Sequence, residues 1–337
     1  MPQTPNQMVP DDASERAGAA PHFEPSPIRE IGAEERWASA HNGTSQASQA
    51  ADAASCLADC DRACSIDALP IRPADMKPFI SECLTDAGQV LLEHFARGCP
   101  AQLKENQSSV VTVADLASEK LIVARIRGRF PDDGIIAEES GCQPGRSGRT
   151  WVIDPLDGTS NFAASLPWFG VMIALLDGGT PVAGGMYLPV TRTLYVAEAG
   201  RGLLRDGQPV RLTAARELST VLCACCMDAS SDPAENQAQA AAFGRLVNRA
   251  RNVRATNSLV DVCYTVDGRL GGFVNYCTKI WDIAAPALAF REAGGPFTDL
   301  DGRDVVFRID AEPFDRNYAV VGASPALHPQ ILAALRG

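Results

Sequence analysis

Trp151-Val-Ile-Asp-Pro-Leu-Asp-Gly-Thr-Ser-Asn-Phe162 is the stretch whose reading decides the fold. Trp151, Val152 and Ile153 have the character of a buried strand. Asp154 and Asp157 follow at its carboxyl end, where open α/β sheets place their ligands. Pro155 has no N–H to give a ladder, so the sequence predicts that it stops the strand and turns the chain between the two carboxylates. Gly158, Thr159 and Ser160 supply flexible backbone and hydroxyls at an expected helix start, whose unpaired N–H groups and partial positive charge suit an anion. Carboxylates fit for a hard metal ion beside an anion-binding turn predict chemistry on phosphate.

Upstream of this stretch, Phe79, Ile80, Cys83, Leu84, Ala87, Val90, Leu91 and Phe95 recur at three- and four-residue steps from Met76, and Gly98 follows as a stop, which predicts an amphipathic helix. Val110 to Val113 reads as a strand leading to Asp115 and a second helix to about Arg129. Ile135 to Ala137 reads as a short strand ending in Glu138 and Glu139, and Ser140 to Arg149 as a loop. Downstream, hairpin strands are expected at Phe169 to Leu176, Val182 to Tyr187 and Leu194 to Ala197, with a tight turn at Asp206-Gly207. A strand over Val221 to Cys226 precedes helices over 234–250 and 258–267, and Phe273-Val274 leads to a helix from Trp281 to Glu292. Tyr318 to Val321 closes the strands and Pro325 to Leu335 the helices. Helix pairs alternating with sheets predict a layered α/β class.

Length and charge bound the rest. With 337 residues and 46% hydrophobic content, the chain can bury a large core. A net charge of -11 disfavours nucleic acid or an anionic membrane as partner, since both call for clustered Lys and Arg. Residues 1–75 hold twelve acidic and five basic side chains, so -7 of that charge lies there. Rich in Ala, Ser and Pro and poor in large aliphatics, residues 1–74 are expected to form a disordered acidic extension, with a single domain over 75–337. Another reading of this boundary is that the functional chain begins at Met76. Cys56, Cys60 and Cys64 sit four apart in the extension, but they lack a fourth ligand and match no common zinc spacing. Eleven cysteines without a framework predict reduced thiols and a cytoplasmic protein. No run of 18 apolar residues occurs, and no basic start with an apolar core, so neither a membrane span nor a secretory signal is expected.

Asp115, Glu138, Glu139, Asp154, Asp157 and Asp282 fall at expected strand ends or helix starts. An all-oxygen set of this kind suits Mg²⁺ or Mn²⁺. His22, His41, His94 and His328 all lie outside these segments, which disfavours zinc or a histidine nucleophile. Glu138-Glu-Ser140, then Asp154-Pro-Leu-Asp-Gly-Thr159, then Trp281-Asp-Ile-Ala-Ala285 with Glu292-Ala-Gly-Gly295, resemble in order and spacing the motifs of the inositol monophosphatase-like, lithium-sensitive phosphatase family, over roughly Lys77 to Leu335. The resemblance implies an α-β-α-β-α sandwich, commonly a homodimer, that hydrolyses small phosphate monoesters with two or three Mg²⁺ ions and is inhibited by Li⁺. By position it implies Glu138, Asp154 and the carbonyl of Leu156 as ligands of a first metal. Asp154, Asp157 and Asp282 would hold a second, with Glu139 near a third, weaker site. Asp115 and Thr159 would orient the attacking water, and the N–H groups around Gly158, Thr159 and Ser160 would cradle phosphate.

The chain also departs from the family it resembles. Asn275 stands where inositol-specific members carry a glutamate, with Lys279 nearby, so the substrate rim is expected around these two. Gly271-Gly272 replaces a position that is commonly acidic, and Pro286 replaces a glycine, tolerable in the first helical turn. Inositol phosphate, histidinol phosphate, a sugar phosphate and a 3'-phosphorylated nucleotide all stay open as substrates, as does a regulatory binding protein on the same fold. Cys56 to Arg62 and Cys263 to Arg269 fit the Cys-x5-Arg spacing of cysteine-dependent phosphatases, but neither segment is a glycine-rich, cationic loop, and both are read as chance matches.

Overall fold

The computed structural model describes residues 76–98, 102–103, 110–309 and 316–336; the extension, with Cys56, Cys60 and Cys64, lies outside the described residues. The elements run α1 (Met76–Arg97), β1 (Gln102–Leu103), β2 (Val110–Val111), α2 (Val113–Arg129), β3 (Gly134–Ala137), β4 (Gly141–Gln143), β5 (Arg149–Asp157) and α3 (Thr159–Ala163). They continue as β6 (Gly170–Asp177), β7 (Thr180–Leu188), β8 (Thr193–Glu198), β9 (Leu203–Arg205), β10 (Gln208–Pro209), β11 (Leu222–Cys226) and α4 (Pro233–Val247). The last are β12 (Asn252–Arg254), α5 (Leu259–Val266), β13 (Gly272–Thr278), α6 (Ile280–Glu292), β14 (Phe297–Asp299), β15 (Tyr318–Ala323) and α7 (His328–Arg336).

Two large sheets carry the architecture. The first has strand order β10-β9-β8-β7-β6-β5-β3-β4 and is antiparallel except where β3 meets β5; the second has order β12-β11-β13-β15-β14. Side chains alternate across each strand, so every strand feeds two cores. Trp151 and Ile153 of β5 pack with α1 and α2, whereas Val152 faces α6. In β11, Ala224 and Cys226 face the middle layer and Cys223 and Cys225 face α4 and α7. Three cores therefore separate five layers: α1 and α2, the eight-stranded sheet, α5 and α6, the five-stranded sheet, α4 and α7. This is the expected α-β-α-β-α sandwich.

Local chemistry explains the boundaries. Met76, Ile80, Cys83, Leu84, Ala87 and Leu91 make one buried stripe on α1. Thr112 caps α2, with Oγ1 3.1 Å from the amide of Ala114, so Val113 opens a helix rather than ending a strand. The loop expected between Glu139 and Trp151 contains β4, which pairs antiparallel with β3 and is too short for a periodic signal. Strands β12 and β14, three residues each, carry no alternation that a sequence reading can catch. Gly272 lets β13 pass close under α7, since a Cβ there would lie 2.2 Å from Ile331 Cδ1. Pro286 is the seventh residue of α6, not part of its first turn, so the carbonyl of Asp282 loses its helical partner. Among the described residues, no helix is long and apolar enough to cross a membrane.

One buried carboxylate holds the entry to β5. Asp133 is 1% exposed and accepts Trp151 Nε1 at 2.9 Å, Arg149 Nη2 at 3.0 Å and Ser147 Oγ at 2.7 Å. Asp133→Ala strands the buried indole N–H and leaves the partly exposed Arg149 guanidinium without its carboxylate. It is expected to cost about 3 kcal/mol in urea unfolding, with a smaller loss in Asp133→Asn, which keeps an acceptor.

Candidate active site

Residues three apart on a regular strand face opposite sides of the sheet. In β5 they do not. Asp154 pairs with Met172 and Asp157 with Gly170, so three steps on β5 oppose two on β6, and the surplus residue is a bulge at Pro155-Leu156. Contrary to the sequence expectation, Pro155 does not end the strand, which continues to Asp157. A bulge tolerates the missing N–H, and its odd residue turns both carboxylates to one side. Carboxylate oxygens of Asp154, Asp157 and Asp282 then lie within 4.8 Å of one another.

Helix starts hold the other members. Asp282 is the third residue of α6, and its Oδ2 accepts Thr278 Oγ1 at 2.6 Å and the amide of Lys279 at 2.7 Å. Asp115 takes the same position on α2, accepting the Thr112 amide at 2.8 Å and its Oγ1 at 2.6 Å. Asp157 accepts the amide of Leu259, the first residue of α5. Thr159 Oγ1 lies 3.1 Å from Asp115 Oδ1 and 2.9 Å from the Leu156 carbonyl, so its single proton has a choice of two acceptors. Gly158 has φ +81°, and a Cβ there would lie 2.7 Å from the carbonyl of Trp168. Only glycine fits this turn.

Glu138, Asp154, Leu156, Asp157, Gly158, Thr159, Ser160, Asn275, Lys279 and Asp282 line one cleft of about 600 Å³. Two expected members stand apart. Asp115 is fully buried behind Thr159, and Glu139 is not among the lining residues; its amide donates to Glu119 Oε2 at 2.8 Å. Sequence reasoning missed Asp228 and Asn257, which also line the cleft, and Asp261, whose Oδ2 accepts the amides of Thr256 and Asn257 at 2.9 and 3.1 Å. Ser258 followed three residues later by Asp261 was a legible capping signal.

Burial and mutual repulsion dominate the electrostatics. Burial, then the charges of Glu138, Asp157 and Asp282, push the Asp154 carboxyl well above its ordinary range. Asp157 is also pushed well up, by burial and by Asp282. Burial raises Asp282 and Asp115 too, and the hydrogen bonds from their own helix starts pull each back down. Cys226 and Cys277 line the cleft, but burial pushes both thiols up, and Cys226 donates to Asp261 at 3.3 Å. The lining thus offers carboxylate and carbonyl oxygen without thiolate or imidazole, a donor set that fits a hard divalent cation. Cys263 lies buried on α5 with its thiol pushed up, so its Cys-x5-Arg match forms no phosphate loop.

Asp154→Asn replaces a repelled carboxylate by a neutral amide of the same shape. In buffer containing EDTA this variant is expected to melt a few degrees above the wild type; an equal or lower Tm would show that the repulsion costs the fold nothing.

The model of the inositol monophosphatase family matches residues 74–337. A histidinol-phosphatase of Chlorobaculum parvum is 33% identical over 256 residues, 75% of this chain and 94% of that protein. A Nus factor SuhB of Xylella fastidiosa is 32% identical over 232 residues, 67% of this chain and 82% of that protein. Among solved structures, an IMPase of Thermotoga maritima superposes with a TM-score of 0.69 at 27% identity, over 78% of this chain and 97% of that one. By its matched domain, its layered fold and its motifs, the chain belongs to the inositol monophosphatase family.

Proposed function

We propose that the chain is a Mg²⁺-dependent phosphomonoesterase acting on a small phosphate monoester, of the inositol-1-monophosphatase type, working as a homodimer in the cytoplasm. The carrying observation is the convergence of the Asp154, Asp157 and Asp282 oxygens within 4.8 Å in a partly buried, mutually repelling group. In this reading Glu138, Asp154 and the Leu156 carbonyl hold one cation, Asp154, Asp157 and Asp282 a second, and Glu139 a third, weaker one; Mn²⁺ would serve in place of Mg²⁺. Bound there, divalent cations neutralise phosphate charge, make a water more acidic and stabilise the leaving alkoxide.

The chain's own groups supply positioning and proton handling. Thr159 Oγ1 donates to Asp115 Oδ1 and so presents its lone pairs to a water in the cleft, accepting one of that water's protons as a hydrogen bond. The water's oxygen is thereby aimed at phosphorus, and the Gly158, Thr159 and Ser160 amides receive the phosphate oxygens. Phosphoryl transfer asks a protein mainly for placement and charge, which suits a site without a covalent nucleophile. A second reading, a regulatory binding protein on the same fold, draws on the relative named Nus factor SuhB.

Phosphate release from inositol phosphate, histidinol phosphate, sugar phosphates and 3'-phosphorylated nucleotides separates the two readings. We expect Mg²⁺-dependent turnover on at least one class, inhibited by millimolar Li⁺. Asp157→Asn should lose about a hundredfold or more in kcat while keeping its fold. No turnover on any class, or an Asp157→Asn variant as active as the wild type, would overturn the enzymatic reading.

A further inference from the structure

Five carboxylates line the cleft: Glu138, Asp154, Asp157, Asp282 and Asp228. The first four have roles in the phosphatase reading, and Asp228 has none. It sits two residues beyond the end of β11 and is half-buried. Its position is built rather than incidental. Asn257 Nδ2 donates to Asp228 Oδ1 at 2.8 Å, while Asn257 Oδ1 accepts the neighbouring Met227 amide at 3.0 Å. Asn257 takes a left-handed φ of 53°, and its amide is fixed by Asp261. One side-chain amide thus clamps the Asp228 carboxylate against the cleft wall from a loop that is itself tied down.

What the clamp leaves unmet is the informative part. Among the described residues, no cation forms an ion pair with Asp228, and its sole side-chain hydrogen bond is the one from the neutral Asn257. Burial accordingly raises its pKa. Asn275 of β13, in register with Cys226 at the end of β11, is neutral. A clamped, half-buried carboxylate with an oxygen to spare, on the wall of a binding cleft, lacks a cation. Hydroxyls would add a hydrogen bond there but leave the charge uncompensated, whereas an ammonium supplies both.

We propose that Asp228 is the specificity-determining residue of the cleft, receiving an ammonium group on the alcohol half of the substrate, so that the preferred esters are phosphates of amino alcohols. This rests on the phosphomonoesterase reading and narrows it. Asn275, Ser230 and the cation Lys279 share this lining, and the Asp228 charge also reaches Asp157 and Asp282, so an ammonium there enters surroundings that are anionic on balance.

Calorimetry of the full chain with Mg²⁺, using 3-aminopropylphosphonate and 3-hydroxypropylphosphonate, tests it. The two probes have nearly the same shape, differ by an ammonium against a hydroxyl, and carry a C–P bond that is not hydrolysed. Wild type should bind the amino probe about tenfold more tightly, and Asp228→Asn should bring that ratio close to one. If Asp228→Asn fails to fold, Asp228→Ser gives the same comparison. Equal affinities in the wild type, a ratio unchanged in the variants, or no binding of either probe would overturn the proposal. Hydrolysis of p-nitrophenyl phosphate reports on the phosphatase reading separately. Turnover with equal phosphonate affinities defeats only the role of Asp228, and amino-selective binding without turnover of any ester defeats only the phosphatase.

Discussion

Like charge held together on the wall of one cleft is the constraint on which this molecule depends. Asp154, Asp157 and Asp282 would separate if their elements allowed it. The fold prevents this by giving each carboxylate a fixed support: a bulge in β5 for the first two, the opening turn of α6 for the third. Helix starts supply most of the compensation. The N-termini of α2, α5 and α6 each direct a backbone amide or a capping hydroxyl at a site carboxylate, and the positive end of each helix lowers the cost of the charge there. The layering makes this convergence possible, because the eight-stranded sheet brings β5 against α6, which follows directly from the five-stranded sheet.

Much of this could be read in the residues. The long helix from Met76 carries a clean stripe, and the strands around Trp151 and Ala174 alternate between two cores, which are the patterns a sequence displays best. Three motifs distant in the chain announced the carboxylates. What stayed hidden has identifiable causes. Pro155 reads as a strand stop because a ladder cannot use it, and only the pairing with β6 reveals that a bulge absorbs it. Strands of three residues, β4, β12 and β14, are too short to show a period. Asp228 was invisible for a different reason: nothing in Cys226-Met-Asp-Ala229 marks a cleft, and its meaning comes from Asn257, a partner twenty-nine residues away. Asp115 and Glu139 show the reverse, since a place at a helix start or within a motif put neither on the cleft surface.

A fold supplies a scaffold, and function is set by the groups placed on it. Carboxylates rooted in helix starts and a bulge are hard to move without losing the layers they anchor. Asn275 lies within β13, Lys279 caps α6 and Asp228 follows β11, so these three cleft residues come from separate elements. Relatives bearing names as different as histidinol-phosphatase and Nus factor SuhB are consistent with that division of labour.

The bulge at Pro155-Leu156 also bears on the order of events when the chain folds. Its two aspartates become neighbours of Asp282 only after β13 and α6 have been placed, so the central group closes through contacts between segments far apart in sequence. Such pairings are the slow ones, since a long loop must be closed before any of them forms. Until then Asp154 and Asp157 are spared the charge of Asp282. The repulsion that Asp282 adds to the pair therefore depends on long-range pairings, whereas that between Asp154 and its neighbours Glu138 and Asp157 comes with the pairing of β3, β5 and β6.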